Sequence, residues 1–313
     1  MTKFIAKRLL AGLILLAAVC MGTFFLAHLA ISDPTVALLG SSATPEQQAV
    51  LAKELGLDRP LLVQFQAWLS SAITGDLGTS WRNQQPVWDQ IVLRVPVTLS
   101  VVSFAILISA FVGVVCGLIA GLNPGSTFDK GVKIATVLLF ALPGFWISLM
   151  LVIWFAVRLR WFPSFGYVSP AVSFGGWIRS ITLPAVALAL GAIVMIAEQL
   201  RNQVIAVSQQ DFVRTLRSRG LSNFRVNLHI LRNASPAALT VIAVLFASLL
   251  SGAIVVEAIF SLPGLGQLTQ SAAQIGDIPV LLGITMVSVV FVVIIYVVLD
   301  IALGWINPKV RLK

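Results

Sequence analysis

Charged side chains are scarce in this sequence. Aspartate, glutamate, lysine and arginine together make up 11% of the 313 residues, whereas a soluble domain contains roughly 25%. Hydrophobic residues make up 58%. One soluble core cannot bury so much apolar surface, so an ordinary soluble domain is excluded and a lipid environment is indicated.

Cysteine and the short motifs of catalysis are also scarce. The two cysteines, Cys20 and Cys116, lie within apolar stretches. They predict no disulfide framework and no metal site, and we interpret them as small hydrophobic side chains in packed helices. The sequence contains no Walker A pattern, no Gly-x-Ser-x-Gly and no His-Glu-x-x-His. These absences argue against ATP hydrolysis by this chain and against an intramembrane enzyme.

Basic residues are spread along the chain rather than gathered in one patch. The formal net charge is +9, and such a charge is attracted by nucleic acid or by an anionic membrane surface. The lysines and arginines fall between hydrophobic runs, and we expect no segment to pair them with exposed aromatic residues as nucleic-acid-binding surfaces do. The charge therefore indicates a polytopic membrane protein and argues against nucleic acid as a partner.

Six stretches are long and apolar enough to cross a membrane as complete helices, which need roughly 20 apolar residues each. The first follows basic residues and resembles a signal peptide, but its apolar run is longer than a typical cleaved one, so we expect a retained helix. Pro143-Gly144 is expected to bend the third stretch. The stretches lie at about residues 9–31, 97–122, 134–157, 181–200, 237–256 and 280–299.

The loop charges predict the orientation of the chain. The N-terminus, the C-terminus and the loops at 122–133 and 201–236 together carry 14 lysines and arginines, whereas the loops of the other side carry 7. The side with more basic residues belongs in the cytoplasm. We therefore expect both termini to be cytoplasmic.

The predicted external segment between the first two spans, residues 32–96, has helix signals of its own. Thr44 and Pro45 suit the N-cap and the first position of a helix, and Gly56 suits its C-terminal stop. Pro60 opens a second helix, which runs out at Gly75. We expect a small helical cap here.

The longest predicted cytoplasmic loop, residues 201–236, is polar and basic. Ser208 and Asp211 fit a capping box that begins a helix through Arg219, and Gly220 suits a left-handed residue that ends it. A second short helix is expected before Pro236. This helix pair either lies on the membrane surface or docks on a protein partner. The arginines that line it are Arg214, Arg217, Arg219, Arg225 and Arg232.

These residues carry a resemblance to a known family. The run Asp-Phe-Val-Arg-Thr-Leu-Arg-Ser-Arg-Gly-Leu-Ser from Asp211 to Ser222, followed by Leu-Arg-Asn-Ala from Leu231 to Ala234, resembles the "EAA" loop of inner-membrane permeases of ABC importers, in their dipeptide, oligopeptide and nickel branch. Leu216 departs from the alanine that is usual there. Further matches follow one another along nearly the whole chain, at 56–60, 75–80, 94–99, 256–266 and 307–311.

The resemblance implies an all-α permease of a bacterial inner membrane. Such a chain is a pore-forming subunit that moves peptides or a related small solute into the cytoplasm from an external solute-binding protein. It implies a second homologous permease and two ATPase subunits, which hold ATP and magnesium, and no cofactor in this chain. We expect residues 1–96 to form a first helix with the external segment, and 97–313 to form a five-helix core.

The resemblance also implies two sets of site residues. Phe212 and Leu216 would anchor an ATPase contact, Gly220 would set the angle of the helix pair, and arginines would add charge contacts. The set expected to couple to the ATPase is Asp211, Phe212, Arg214, Leu216, Arg217, Arg219 and Gly220. The set expected to dock the binding protein is Asp76, Gly78, Pro263 and Gly264.

An ion-coupled secondary transporter is the main alternative. Such transporters usually carry ionisable residues near the middle of the bilayer. Glu198, Glu257 and Asp300 lie at the ends of predicted spans, where interfacial solvation is expected, and His28 is interpreted as a packed or interfacial side chain. The gate and the transported solute are not specified by the sequence.

Overall fold

Helices make up the regular structure of the chain. This computed structural model describes residues 2–30, 34–40 and 42–306, and among these residues the β-structure is limited to one isolated bridge between Thr79 and Pro86. The predicted all-α class is therefore confirmed. The helices are α1 Thr2–Ala30, α2 Pro34–Leu39, α3 Pro45–Glu54, α4 Leu61–Ile73, α5 Val87–Leu122, α6 Thr127–Ala141, α7 Gly144–Leu151, α8 Phe174–Ser208, α9 Asp211–Ser218, α10 Asn223–Ile259, α11 Leu265–Ile275 and α12 Ile278–Ile306.

Five helices in the described part of the chain are long and apolar enough to cross a membrane: α1, α5, α8, α10 and α12. A sixth span is present if α6 and α7 are counted together, and this agrees with the prediction of about six. A π-helical segment, Val152–Arg158, continues α7.

The predicted bend at Pro143 is confirmed, and it is large. α6 and α7 meet at 100°. Leu142 has an extended backbone with ψ of 130°, and Pro143 is the N-cap of α7. A proline disfavours helical geometry in the residue before it and has no N–H to donate, so the helix stops and restarts here.

The described residues fall into two compact units, one within 1–98 and 263–294 and the other within 99–262 and 295–313. In the first unit, α3 and α4 are the two helices that the helix signals predict, and α2 is a further short helix that they did not predict. Thr44 Oγ1 accepts a hydrogen bond from Gln47 N (3.3 Å), and Gln47 Oε1 accepts one from Thr44 N (3.0 Å), which completes a capping box. Gly56 has φ +70° and ends α3 as expected.

In the second unit, α5 and α8 approach closely along a stripe of glycines spaced four residues apart. A Cβ added at Gly113, Gly117 or Gly121 would lie 2.6–2.8 Å from atoms of α8. At Gly117 the nearest of these atoms is the backbone oxygen of Ala197. Small residues at this spacing let two membrane helices pack backbone against backbone, where dispersion rather than hydrophobic burial stabilises the contact.

A buried ion pair ties the start of α6 to α8. The Asp129 side chain is fully buried and pairs with Arg201 through two hydrogen bonds, one of them from Nη2 at 3.0 Å. Asp129 also accepts a hydrogen bond from Gly125 N (2.9 Å), and Lys133 lies 3.6 Å away. Removing one partner of a buried pair generally destabilises by about 3–5 kcal/mol, so this pair fixes the end of α8 that precedes α9.

We predict that Gly117→Ala destabilises the chain, because the added methyl group would meet the backbone of α8; overpacking of this kind costs about 1–3 kcal/mol. The matched control is Gly131→Ala in α6, where a Cβ would meet nothing within 4 Å. The control should be neutral or slightly stabilising. The measurement is thermal unfolding of the detergent-solubilised chain. Equal midpoints for the two variants would contradict the glycine-stripe account.

Candidate coupling and docking sites

Helix α9 lies in a short connection between two long helices, α8 and α10. Two details of the predicted loop are wrong. Ser208 is the last residue of α8 and its hydroxyl donates to Val204 O (2.6 Å), so it forms no capping box; Gln210 is the N-cap of α9 instead. Because Val204 and Val207 are buried on one stripe, α8 continues past the predicted start of the loop.

The second predicted short helix is not a separate element either. α10 runs unbroken from Asn223 to Ile259 and contains Pro236. A proline at this position leaves the carbonyl of Arg232 without its helical N–H donor, and the Ser235 hydroxyl donates to that carbonyl at 3.2 Å. Neighbouring helices and such side-chain bonds allow proline inside long membrane helices.

The apolar side of α9 packs on its own chain. Val213 has no exposed surface, and Phe212 and Leu216 are half-buried against the same cluster. We call this cluster the α9 seat. Full burial of a valine side chain stabilises by roughly 1.5 kcal/mol, so this contact favours the packed position of α9. Its fully or nearly fully buried members include Leu200, Val204, Val207, Val213, Val226 and Ile230.

A glycine turn closes α9. Gly220 has φ +76°, as its predicted left-handed role requires. Gly220 N donates to Arg217 O (3.0 Å) and Leu221 N donates to Leu216 O (3.3 Å), which is the hydrogen-bond pattern of a Schellman motif. The half-buried Leu221 packs against the α9 seat. The turn thereby fixes the angle between α9 and the start of α10.

The outer side of α9 and of the start of α10 is basic. Arg214 lies 3.7 Å from Asp211, with side chains 79% and 96% exposed, and a pair so exposed contributes little to stability. Five predicted arginines share this exposed placement and are available to a partner: Arg214, Arg217, Arg219, Arg225 and Arg232.

Two apolar side chains of this surface were not among the expected site residues. Phe224 is 78% exposed and Leu228 is 57% exposed, one turn apart at the start of α10. Their common face is readable from the sequence, but their exposure depends on Val226 and Ile230 turning inward. Exposed apolar residues beside a polar rim are typical of a surface that contacts a protein or a membrane. We call Phe224, Leu228 and the five arginines the basic surface.

In the first unit, the expected docking residues belong to two turns that share one buried cluster. Leu77 lies between Asp76 and Gly78, and Leu265 follows Gly264; both leucines are members of that cluster. Asp76 is exposed and its Oδ1 accepts a hydrogen bond from Gly78 N (2.8 Å), while Gly78 has φ +80°.

The second turn exposes Pro263, whereas Gly264 is buried as the N-cap of α11. Leu265 N donates to Thr98 Oγ1 at 2.8 Å. Asp277, which the sequence did not single out, is nearly fully buried and accepts hydrogen bonds from the Ser80 hydroxyl and from Trp81 N (3.2 Å). This carboxylate ties the segment after Gly78 to the start of α12.

The acidic residues near span ends differ in burial. Glu198 is exposed and Asp300 is half-buried. Glu257 is fully buried, so the expectation of interfacial solvation is wrong for this residue. α10 extends beyond the predicted end of the fifth span, which places Glu257 inside a packed helix.

Comparisons with known proteins identify one family of membrane transport proteins over nearly the whole chain. Residues 113–312 match the family described as "Binding-protein-dependent transport system inner membrane component", and residues 1–102 match its N-terminal companion. A peptide transport system permease protein of Brucella abortus is 39% identical over 312 residues, covering 99% of each chain. A di/tripeptide transport system permease protein of Pseudomonas aeruginosa is 33% identical over 335 residues, again covering 99% of each.

A solved structure supports the fold. The chain is similar to the MetNI methionine ABC transporter in its inward-facing form, with a TM-score of 0.53 and 17% identity over 68% of this chain and 95% of that one. At this identity the likeness concerns the fold alone. The family match and the close relatives decide the assignment: the chain belongs to the binding-protein-dependent transport system inner membrane component family, the multi-pass inner-membrane permeases of ABC importers.

Proposed function

We propose that the chain is one of two pore-forming permeases of an ATP-driven importer that moves peptides, or a related small solute, into the cytoplasm. The names of its relatives support peptides as the solute class. The observation that carries the proposal is that α9 packs against the α9 seat and leaves the basic surface exposed. Such a rigid, capped element can pass a partner's movement to the long helices on which it sits.

In this proposal both termini and α9 face the cytoplasm. The support is the excess of lysine and arginine in the corresponding loops. Helices α2 to α4 and the turn before α11 then face the outside. Separate ATPase subunits, two in number, bind ATP and magnesium and hydrolyse the nucleotide, while this chain only transmits the movement. A second permease of the same family completes the pore.

The coupling contact divides into two roles. Arg214, Arg217 and Arg219 face the ATPase and supply charge contacts. Phe212 and Leu216, expected as anchors for the partner, are half-buried, so we assign them first to seating α9 and only their exposed edges to the partner. Phe224 and Leu228 supply the apolar part of the contact.

The docking contact with an external binding protein is proposed at the two turns of the first unit. Asp76 and Pro263 are exposed and would touch the partner, while Gly78 and Gly264 keep the turns in shape. The shared buried cluster beneath both turns supports a single docking surface.

We expect Gly220→Val to uncouple ATP hydrolysis from uptake. A branched side chain at φ +76° opposes the left-handed conformation by about 1–2 kcal/mol, so the Schellman turn opens and α9 loses its angle. In the reconstituted transporter, the amount of solute taken up per ATP hydrolysed should fall about tenfold while membrane insertion is unchanged. Gly220→Asn is the control, because asparagine tolerates this conformation, and it should retain most of the coupling. Normal coupling in the valine variant would refute the assignment.

A second experiment tests the docking surface. Asp76→Lys and Pro263→Arg should each weaken binding of the purified solute-binding protein to the detergent-solubilised complex by about fivefold, since both place a new charge at the centre of the contact. Lys53→Glu, an exposed charge change in α3, serves as the control and should leave the affinity unchanged. If the control weakens binding and the two turn variants do not, the docking surface has been misplaced.

A further inference from the structure

The first unit contains a cavity of about 170 Å³ that the proposed transport function does not use. Its walls come from α1, from the turn after α3, from α4, from the segment at Trp81 and from the start of α12. The wall combines aromatic rings with polar groups. The residues that matter here are Phe24, His28, Arg59, Trp68 and Trp81.

Two of the residues that line the cavity have a buried side-chain nitrogen without a hydrogen-bond partner among the described residues: His28 at Nε2 and Trp68 at Nε1. The other ring nitrogen of His28, Nδ1, lies 2.9 Å from the carbonyl oxygen of Phe24. A carbonyl only accepts, so Nδ1 carries a proton, and in the neutral ring Nε2 presents a lone pair. The indole N–H of Trp68 can only donate. The residues that line the cavity thus include one unused acceptor and one unused donor, and buried groups of this kind are nearly always paired in proteins.

Arg59 adds a positive charge to the same wall. The turn that carries it is held by Gln64, whose side-chain amide donates to Leu57 O (3.3 Å) and to Arg59 O (2.8 Å). A guanidinium and an indole N–H on one wall suit the oxygens of a phosphate group, since guanidinium donors match phosphate geometry. The acceptor nitrogen of His28 suits a second, donating group on the same ligand.

The position of the cavity along α1 indicates where the ligand comes from. From Arg8 to His28 the helix advances 20 residues, which at 1.5 Å per residue is about 30 Å. The hydrocarbon core of a bilayer has about this thickness. If Arg8 lies at the headgroups of one leaflet, the cavity lies at the headgroups of the other, where tryptophan side chains such as Trp68 and Trp81 are usual.

We propose that this cavity binds the headgroup of a membrane phospholipid that carries a hydrogen-bond donor. The phosphodiester accepts from the Trp68 indole and the Arg59 guanidinium, and the headgroup ammonium or hydroxyl donates to His28 Nε2. Phosphatidylethanolamine and phosphatidylglycerol have such a donor, whereas the quaternary ammonium of phosphatidylcholine has none. With the orientation proposed above, the bound lipid belongs to the outer leaflet. It would fasten α1 to α4 and α12, which line the cavity together.

Native mass spectrometry of the detergent-solubilised full chain tests the proposal. The probes are short-chain phosphatidylethanolamine, phosphatidylglycerol and phosphatidylcholine, each added at increasing concentration, and inorganic phosphate as a competitor. The wild-type chain should bind the first two lipids at least about fivefold more tightly than phosphatidylcholine, because one hydrogen bond distinguishes them.

Variants identify the cavity as the place of binding. Trp68→Phe keeps an aromatic ring but removes the N–H, and Arg59→Gln removes the charge; each should weaken binding of phosphatidylethanolamine and phosphatidylglycerol about tenfold. His28→Phe should abolish the preference over phosphatidylcholine. The controls are Trp146→Phe and Arg82→Gln, exposed residues outside the cavity, which should bind like the wild type. Thermal unfolding of every variant confirms that it is folded.

Three outcomes would overturn the proposal. One is equal affinity of the wild type for the three lipids. Another is unchanged lipid binding by the folded Trp68→Phe and Arg59→Gln variants. The third is full displacement of lipid by millimolar inorganic phosphate, which would mark a site for the free anion. None of these outcomes depends on transport, so the lipid site and the proposed transport function stand or fall separately.

Discussion

The burial of Val213 against α8 and α10 is the contact on which the proposed function depends. An eight-residue helix is too short to be stable by itself in water, since isolated helices need roughly 12–15 residues even for favourable sequences. α9 is therefore defined by its seat. Because its apolar side faces the chain, its arginines must face outward, and the left-handed Gly220 then sets where Phe224 and Leu228 emerge. One packing contact thus decides both the shape of the basic surface and its rigid link to the long helices.

The seat is itself held by two features of a different nature. The glycine stripe of α5 lets α8 approach to backbone distance, and the buried pair of Asp129 and Arg201 fixes the end of α8 nearest to α9. The first is a matter of shape and the second of charge. Both features oppose sliding of α8 along its neighbours. A displacement of α9 would therefore move the long helices instead of only bending the connection. In the first unit, Asp277 has a comparable role, since it ties the turn after Gly78 to α12.

Local signals were readable from the sequence, and contacts between distant segments were not. The Thr44 cap, the turns at Gly56 and Gly220, and the break at Pro143 follow from the backbone preferences of single residues, and the structure confirms them. The capping box at Ser208 fits the same rules but does not form. Burial of Val204 and Val207 against neighbouring helices extends α8 through Ser208, and this is a tertiary effect. Asp129 and Arg201 are 72 residues apart, and no local pattern joins them. The spacing of Gly113, Gly117 and Gly121 was visible in the sequence, although its partner helix was not.

Photo-crosslinking in the assembled transporter tests most directly whether the basic surface binds an ATPase. A photoreactive residue would replace Arg217 or Leu228 in turn, with Asp76 of the other unit as the comparison position. We expect ATPase adducts from Arg217 and Leu228 and none from Asp76. An absence of adducts from both positions in a complex with normal hydrolysis, or an ATPase adduct from Asp76, would contradict this assignment.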